Sequence, residues 1–192
     1  FHALEAGAPG AGAALAQIAG DVGQPPIVRA SALARLAGTP GPDNAAAART
    51  GASDASPLVR LAAVRLAETL GPPERLAIAA PLLADTLRAV RTEAARVLPA
   101  VPAGALAPDQ ASAWNRAMGG YVDTLEYTAD RPESRVALGT LRASQGRYAE
   151  AQAAFSAALA LDDRFVPAYL NAADAHRAAG DDGSARATLE AG

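Results

Sequence analysis

Histidine, cysteine and paired carboxylates are the residues from which catalytic and metal sites are most often built, and this sequence is short of all three. It contains no cysteine, which removes thiolate metal sites, Cys nucleophiles, disulfides and covalent haem attachment within these residues. Nucleophilic catalysis needs a base held within reach of the nucleophile. The two histidines are His2, at the extreme N-terminus, and His176, inside a predicted helix; both read as bystanders. Glu93, Glu126 and Glu133 have no second acid at a spacing that would form a glycosidase-like pair. Asp162-Asp163 and Asp181-Asp182 fall in predicted inter-helix turns, where adjacent acids cap helices and face water. No His, Asp or Glu residues recur at the spacing of a zinc helix or a calcium loop. Gly7-Ala-Pro-Gly10-Ala-Gly12 follows no predicted strand and lacks the Lys of a phosphate loop. The expectation is therefore a chain with no catalytic residue, no metal site and no cofactor site of its own, and not an enzyme.

What remains is surface, and the elements that present it. Hydrophobic residues make up 51% of the chain but aromatics only 4%, so the apolar content is mainly Ala, Leu and Val, which suits closely packed helices. The formal net charge of −3 is spread along the chain, and all 17 basic residues are Arg. No basic cluster marks a nucleic-acid footprint. The longest apolar run, around Leu76 to Ala84, contains Pro81 and is far shorter than the roughly 20 residues of a membrane span. The chain begins at Phe1 without Met or a signal sequence, which suggests a piece of something longer.

A 31-residue period organises the first half. Asp54-Ala-Ser-Pro-Leu-Val59-Arg60 is matched by Asp85-Thr-Leu-Arg-Ala-Val90-Arg91, and Ala63/Ala94, Arg65/Arg96 and Leu66/Val97 keep the offset. One period earlier stand Val28-Arg29, Ala32 and Leu33, with Asp21 displaced by a two-residue insertion at Gln24-Pro25-Pro26. Each copy reads as a helix, a turn carrying Asp, and a second helix that begins near Pro or Thr. The predicted pairs are Gly12–Ala19 with Pro26–Leu36, Asn44–Thr50 with Pro57–Leu70, and Pro73–Leu83 with Thr86–Leu98.

A 34-residue period organises the second half, in the pairs Gly146/Gly180, Ala151/Ala185 and Phe155/Leu189. Ala117, Tyr121 and Leu125 stand one period before Ala151, Phe155 and Leu159, so 109–127 reads as a degenerate preceding helix with Trp114 on its apolar side. Between the halves, the run Pro99-Ala-Val-Pro102-Ala-Gly104 has the composition of a helix stop and connector. The expected organisation is residues 1–103 as three helix pairs and 104–192 as the second array, together an all-α solenoid of helical hairpins.

The Asp…Val-Arg pattern resembles HEAT repeats. That resemblance implies a structural ladder between neighbouring repeats made by Asp54, Arg60, Asp85 and Arg91. Leu138-Gly139, Gly146, Tyr148, Ala151, Phe155, Ala158 and Leu159 fit the packing positions of the tetratricopeptide repeat, and a second copy from Pro167 keeps Tyr169, Gly180, Ala185 and Leu189. In that family the first helix of each pair lines a partner-binding groove. The matching positions here are Glu133, Val136, Thr140, Ser144, Leu170, Asn171, Asp174 and Arg177. Some relatives grip a peptide C-terminal carboxylate with Lys and Asn; only Asn171 matches, so a mixed apolar and polar groove for a helical or extended segment, of a protein partner or of another domain of the same protein, is the expectation.

The order of these elements is similar to the C-terminal region of bacterial multihaem c-type cytochromes. The resemblance implies haem c in a parent protein upstream of the repeats, electron transfer there, and a periplasmic or extracellular setting. The alternatives are a stand-alone scaffold unrelated to electron transfer, or a chain that lends His2 or His176 as an axial haem ligand to a partner. The last repeat should leave an apolar edge that further sequence or a partner covers.

Overall fold

The computed structural model describes residues 10–102 and 104–192, which form eleven α-helices and one 3-10 helix and no strand. His2 and the glycine-rich lead-in as far as Pro9 lie outside the described residues. The chain divides into two compact units, Phe1–Met118 and Gly119–Gly192, each built of helical hairpins stacked side by side.

The first unit contains α1 (Ala11–Gly20), α2 (Pro26–Ala37), α3 (Asn44–Ala52), α4 (Pro57–Ala67), α5 (Pro72–Ala79), a 3-10 turn (Ala80–Ala84) and α6 (Arg88–Val97). The helix α7 (Pro108–Tyr127) follows, and the division between units falls inside it, downstream of the Pro99 to Gly104 connector. Trp114 ties the first turns of α7 to the end of α6, its indole Nε1 donating to the Leu98 carbonyl at 2.8 Å. Hairpin partners pack as α1 with α2, α3 with α4, and the 3-10 turn with α6, while α2–α4 and α4–α6 contacts join successive copies. Pro57 and Pro26 open their helices, where a missing N–H costs nothing. Inside the predicted helix 73–83, Pro81 cannot donate to the preceding turn and crowds its carbonyls. The segment therefore splits into α5 and the 3-10 turn instead of running as one helix.

The periodicity of the first half appears directly in the core. Ala32, Ala63 and Ala94 are each fully buried, as are Leu33, Val64 and Ala95, so the same face of the second helix turns inward in every copy. Close approach depends on small residues: a Cβ added at Gly51 of α3 would meet Leu33 Cδ1 at 2.9 Å and Ala63 Cβ at 3.0 Å.

The second unit contains the last turns of α7, then α8 (Pro132–Ser144), α9 (Tyr148–Leu161), α10 (Val166–Ala178) and α11 (Asp182–Ala191). Helices α8 and α10 end in the same turn, one period apart. Gly146 and Gly180 adopt φ of +74° and +83°, conformations open to glycine at little cost. Past them, Arg147 N–H donates to the Arg142 carbonyl and Asp181 N–H to the His176 carbonyl, both at 2.9 Å. Phe155 of α9, 1% exposed, packs the Cδ1–Cε1–Cζ side of its ring against Gly139 of α8, where any Cβ would sit 2.7 Å from its Cδ1 and 2.8 Å from its Cζ. Val136, Ala151, Ala158, Ala168, Ala172 and Ala175 complete this core with Phe155.

Candidate partner-binding faces

In the first unit the turn before α2, α4 and α6 is built the same way three times. The carboxylates of Asp21, Asp54 and Asp85 accept the backbone N–H two residues ahead, from Gly23 at 2.9 Å, Ser56 at 2.8 Å and Leu87 at 2.8 Å. Two of these aspartates also receive an arginine from the preceding copy. Arg29 Nη1 donates to Asp54 Oδ2, and Arg60 forks onto Asp85 through Nε–Oδ2 at 2.6 Å and Nη2–Oδ1 at 3.1 Å. Each rung spans 25 residues, the period less the six that separate Asp from Arg within a copy.

The pair is shielded, with the side chains of Arg60 and Asp85 15% and 4% exposed. The hydrogen bond from Arg60 is the main reason the Asp85 carboxyl is held below the usual carboxylate range, outweighing its burial. Arg60 spends its remaining nitrogen, Nη1, on the carbonyls of Asp54 and Ala55 at 2.9 and 3.0 Å. Arg91 repeats that half of the geometry, Nη1 reaching the carbonyls of Asp85 and Thr86 at 2.7 and 3.0 Å.

A second charge network crosses α4 and α6. Arg65 donates to Glu93 at 2.9 Å, and Arg96 joins Glu93 at 3.1 Å to Glu68 on the other side. Glu93, read from sequence as an acid without a partner acid, is thus held between two arginines. The equal placing of Arg65 and Arg96 in successive copies was the available signal, because it puts both along the same seam.

In the second unit, α8 and α10 pack together and share a face. The Thr140 hydroxyl lies 2.9 Å from the Val136 carbonyl and 3.1 Å from Asn171 Oδ1, one proton serving both acceptors. Asn171 in turn donates to the Pro167 carbonyl at 2.8 Å. Asp174 and Arg177 pair at 2.8 Å one turn further on, Ser144 bonds back to the Leu141 carbonyl at 2.7 Å, and Glu133 is exposed. Leu170 is 50% exposed, whereas Val136, its equivalent in the preceding copy, is 9% exposed. Val136 belongs to the core and not to the exposed face, because α10 packs over it through Ala168 and Ala172. Among the described residues no helix covers Leu170 in that way.

Sequence reasoning passed over a cleft of about 450 Å³ in this unit, bordered by Phe155, Tyr169, Ala172, His176 and Thr188 among others. Ala172, on its lining, stands where the preceding copy has the longer side chain of Leu138. Gln152 Nε2 crosses the floor to the Ala172 carbonyl at 2.9 Å. His176 is there, 3.8 Å from the Asp181 carboxylate. Among the described residues no group of three or more His, Cys, Asp or Glu could hold a metal ion, and no helix is long and apolar enough to cross a membrane.

These arrays define an all-α helical-repeat protein. The profile of the family described as tetratricopeptide repeat matches residues 142–192, from the end of α8 through α11. Neither curated proteins nor solved structures supply a match to the chain. Tetratricopeptide repeats mediate protein–protein contacts, and the matched segment carries an interaction or scaffold role into the second unit.

Proposed function

We propose that the chain is a protein-interaction scaffold whose second unit receives an apolar, helical segment of a partner protein against α10. The observation that carries this reading is the contrast between Val136 and Leu170. The two occupy the same place in successive copies of the repeat, yet the first is covered by the following helix and the second is half exposed. A partner helix would repeat on α10 what α10 does on α8, burying Leu170 while Thr140, Asn171, Asp174 and Arg177 set its polar rim. Selection of a displayed helical-peptide library against the complete chain tests this. Peptides with an apolar stripe that lose at least tenfold in affinity to the Leu170→Glu variant support it; peptides indifferent to that change contradict it.

A narrower version rests on the order of sequence motifs, which resembles the repeat region of multihaem c-type cytochromes. In it the chain is an accessory region beside segments that carry haem c, in a periplasmic or extracellular setting, and docks partners for electron transfer. The HEAT-like reading of the first unit is supported by the constant 25-residue span of its Arg–Asp rungs. The sequence of the parent gene on the N-terminal side of Phe1 tests the cytochrome version: Cys-x-x-Cys-His motifs there support it, and a gene without them removes it.

A further inference from the structure

The rungs of the first unit run out of carboxylates before they run out of arginines. Arg29 holds Asp54 and Arg60 holds Asp85, each 25 residues ahead. At the same distance beyond Arg91 stands Arg116. Arg91 therefore makes the backbone half of the rung through Nη1, while its Nε and Nη2, the two nitrogens that grip Asp85 on Arg60, hold no carboxylate among the described residues. Arg91 is only partly buried. A planar guanidinium already fixed by two carbonyls is preorganised for bidentate capture of a carboxylate.

That open fork lies at the end of a row of exposed apolar side chains. Ile27 and Leu58 are equivalent residues at the starts of α2 and α4, 60% and 41% exposed, and Leu87, just before α6, is 46% exposed. The rungs connect them: Ile27 is two residues before Arg29, which reaches Asp54 in the turn that leads to Leu58. Leu58 is two residues before Arg60, which reaches Asp85 in the turn that carries Leu87. Arg91 closes the series one turn beyond Leu87.

We infer that this edge, formed by the N-terminal ends of α2, α4 and α6, is a second docking surface. Its ligand is a protein segment with apolar side chains for Ile27, Leu58 and Leu87 and an Asp or Glu carboxylate for Arg91. Charge complementarity selects the acidic residue, since the chain itself fills the same fork with aspartate twice. The apolar row alone would not, because scattered exposed leucines are ordinary.

A displayed library of random peptides, panned on the complete chain and sorted by sensitivity to Arg91→Gln and Leu58→Glu, tests the inference independently of the second unit. The expected result is a class of peptides carrying an acid next to apolar residues, weakened tenfold or more by either change. Within that class, replacing the acid by its amide should weaken binding to the wild type and leave binding to Arg91→Gln unchanged. Arg91→Lys keeps the charge and loses the fork, so it should bind between the two, and it keeps the test decisive if Arg91→Gln fails to fold. A selection without acid-bearing peptides, or one in which every binder depends on Leu170 and none on Arg91, would overturn the inference and leave the α10 reading standing.

Discussion

The guanidinium of Arg60 on α4 and the carboxylate of Asp85 before α6 meet edge to edge, through bonds of 2.6 and 3.1 Å, and the same aspartate fixes the turn that leads into α6 by accepting from Leu87 N–H. One residue thus both shapes the turn before a helix and joins two copies of the repeat. Removing its charge should cost more than a surface ion pair, because Arg60 would be left shielded without its anion. Asp85→Asn is expected to destabilise the first unit by about 2–4 kcal/mol. Chemical denaturation of the single and double variants with Arg60→Gln measures it, and the double variant should recover part of the loss.

The same pair sets a pH dependence. The folded carboxyl of Asp85 is held below the ordinary carboxylate value, so the unfolded chain takes up a proton at this site at higher pH than the folded one. The stabilisation is fully present above the unfolded value of about 4 and is lost as pH falls through the lower folded value. The stability gap between wild type and Asp85→Asn should be constant from about pH 7 to pH 5 and narrow below about pH 4. A gap that stays constant into strong acid would contradict the assignment.

Gly139→Ala sets two effects against each other. Alanine gains about 1 kcal/mol of helix propensity, but its methyl group would press into the ring of Phe155, which is 1% exposed and has nowhere to move. Overpacking of this kind costs roughly 1–3 kcal/mol. The net expectation is a lower Tm for the second unit, with Gly139→Ala combined with Phe155→Leu recovering stability relative to the sum of the two single changes.

Gly180 sits at φ +83° with open space around its Cα, so an added methyl group would meet no neighbour and the cost is conformational alone. Gly180→Ala should destabilise by about 1–2 kcal/mol, and Gly146→Ala by a similar amount. D-alanine introduced at position 180 by semisynthesis should restore stability, since the mirror-image residue favours positive φ.

Helix α11 contributes only Ala185 to the buried set, and Leu189 is 43% exposed where its counterpart Phe155 is 1% exposed. Its amides should exchange faster than those of α8 and α9. Strong protection across 182–191 in the isolated chain would contradict the uncovered edge.

Periodicity was legible in the sequence because residues at equal offsets land on equal faces, which is why Ala32, Ala63 and Ala94 are buried together. The turns were legible too, through Gly146, Gly180 and the prolines that open helices. Side-chain partnerships were less so. Arg29 was placed in the first copy, but its role as the partner of Asp54 depends on the neighbour's turn and not on its own helix. Val136 fits a groove position by family register, and only the packing of α10 over α8 shows that it is core. Pro81 signals a break, though whether the chain bends away or tightens into a 3-10 turn depends on Leu82 and Leu83 finding the core. The division inside α7, after Met118, has no composition signal in the sequence.

The central claim is that the face of α10 around the half-exposed Leu170 is a docking surface. Hydrogen–deuterium exchange of the complete chain, with and without a helical peptide selected for dependence on Leu170, tests it most directly. The account predicts slower exchange across 166–178 on binding, abolished by Leu170→Glu; binding that leaves 166–178 unchanged and protects other segments instead would contradict it.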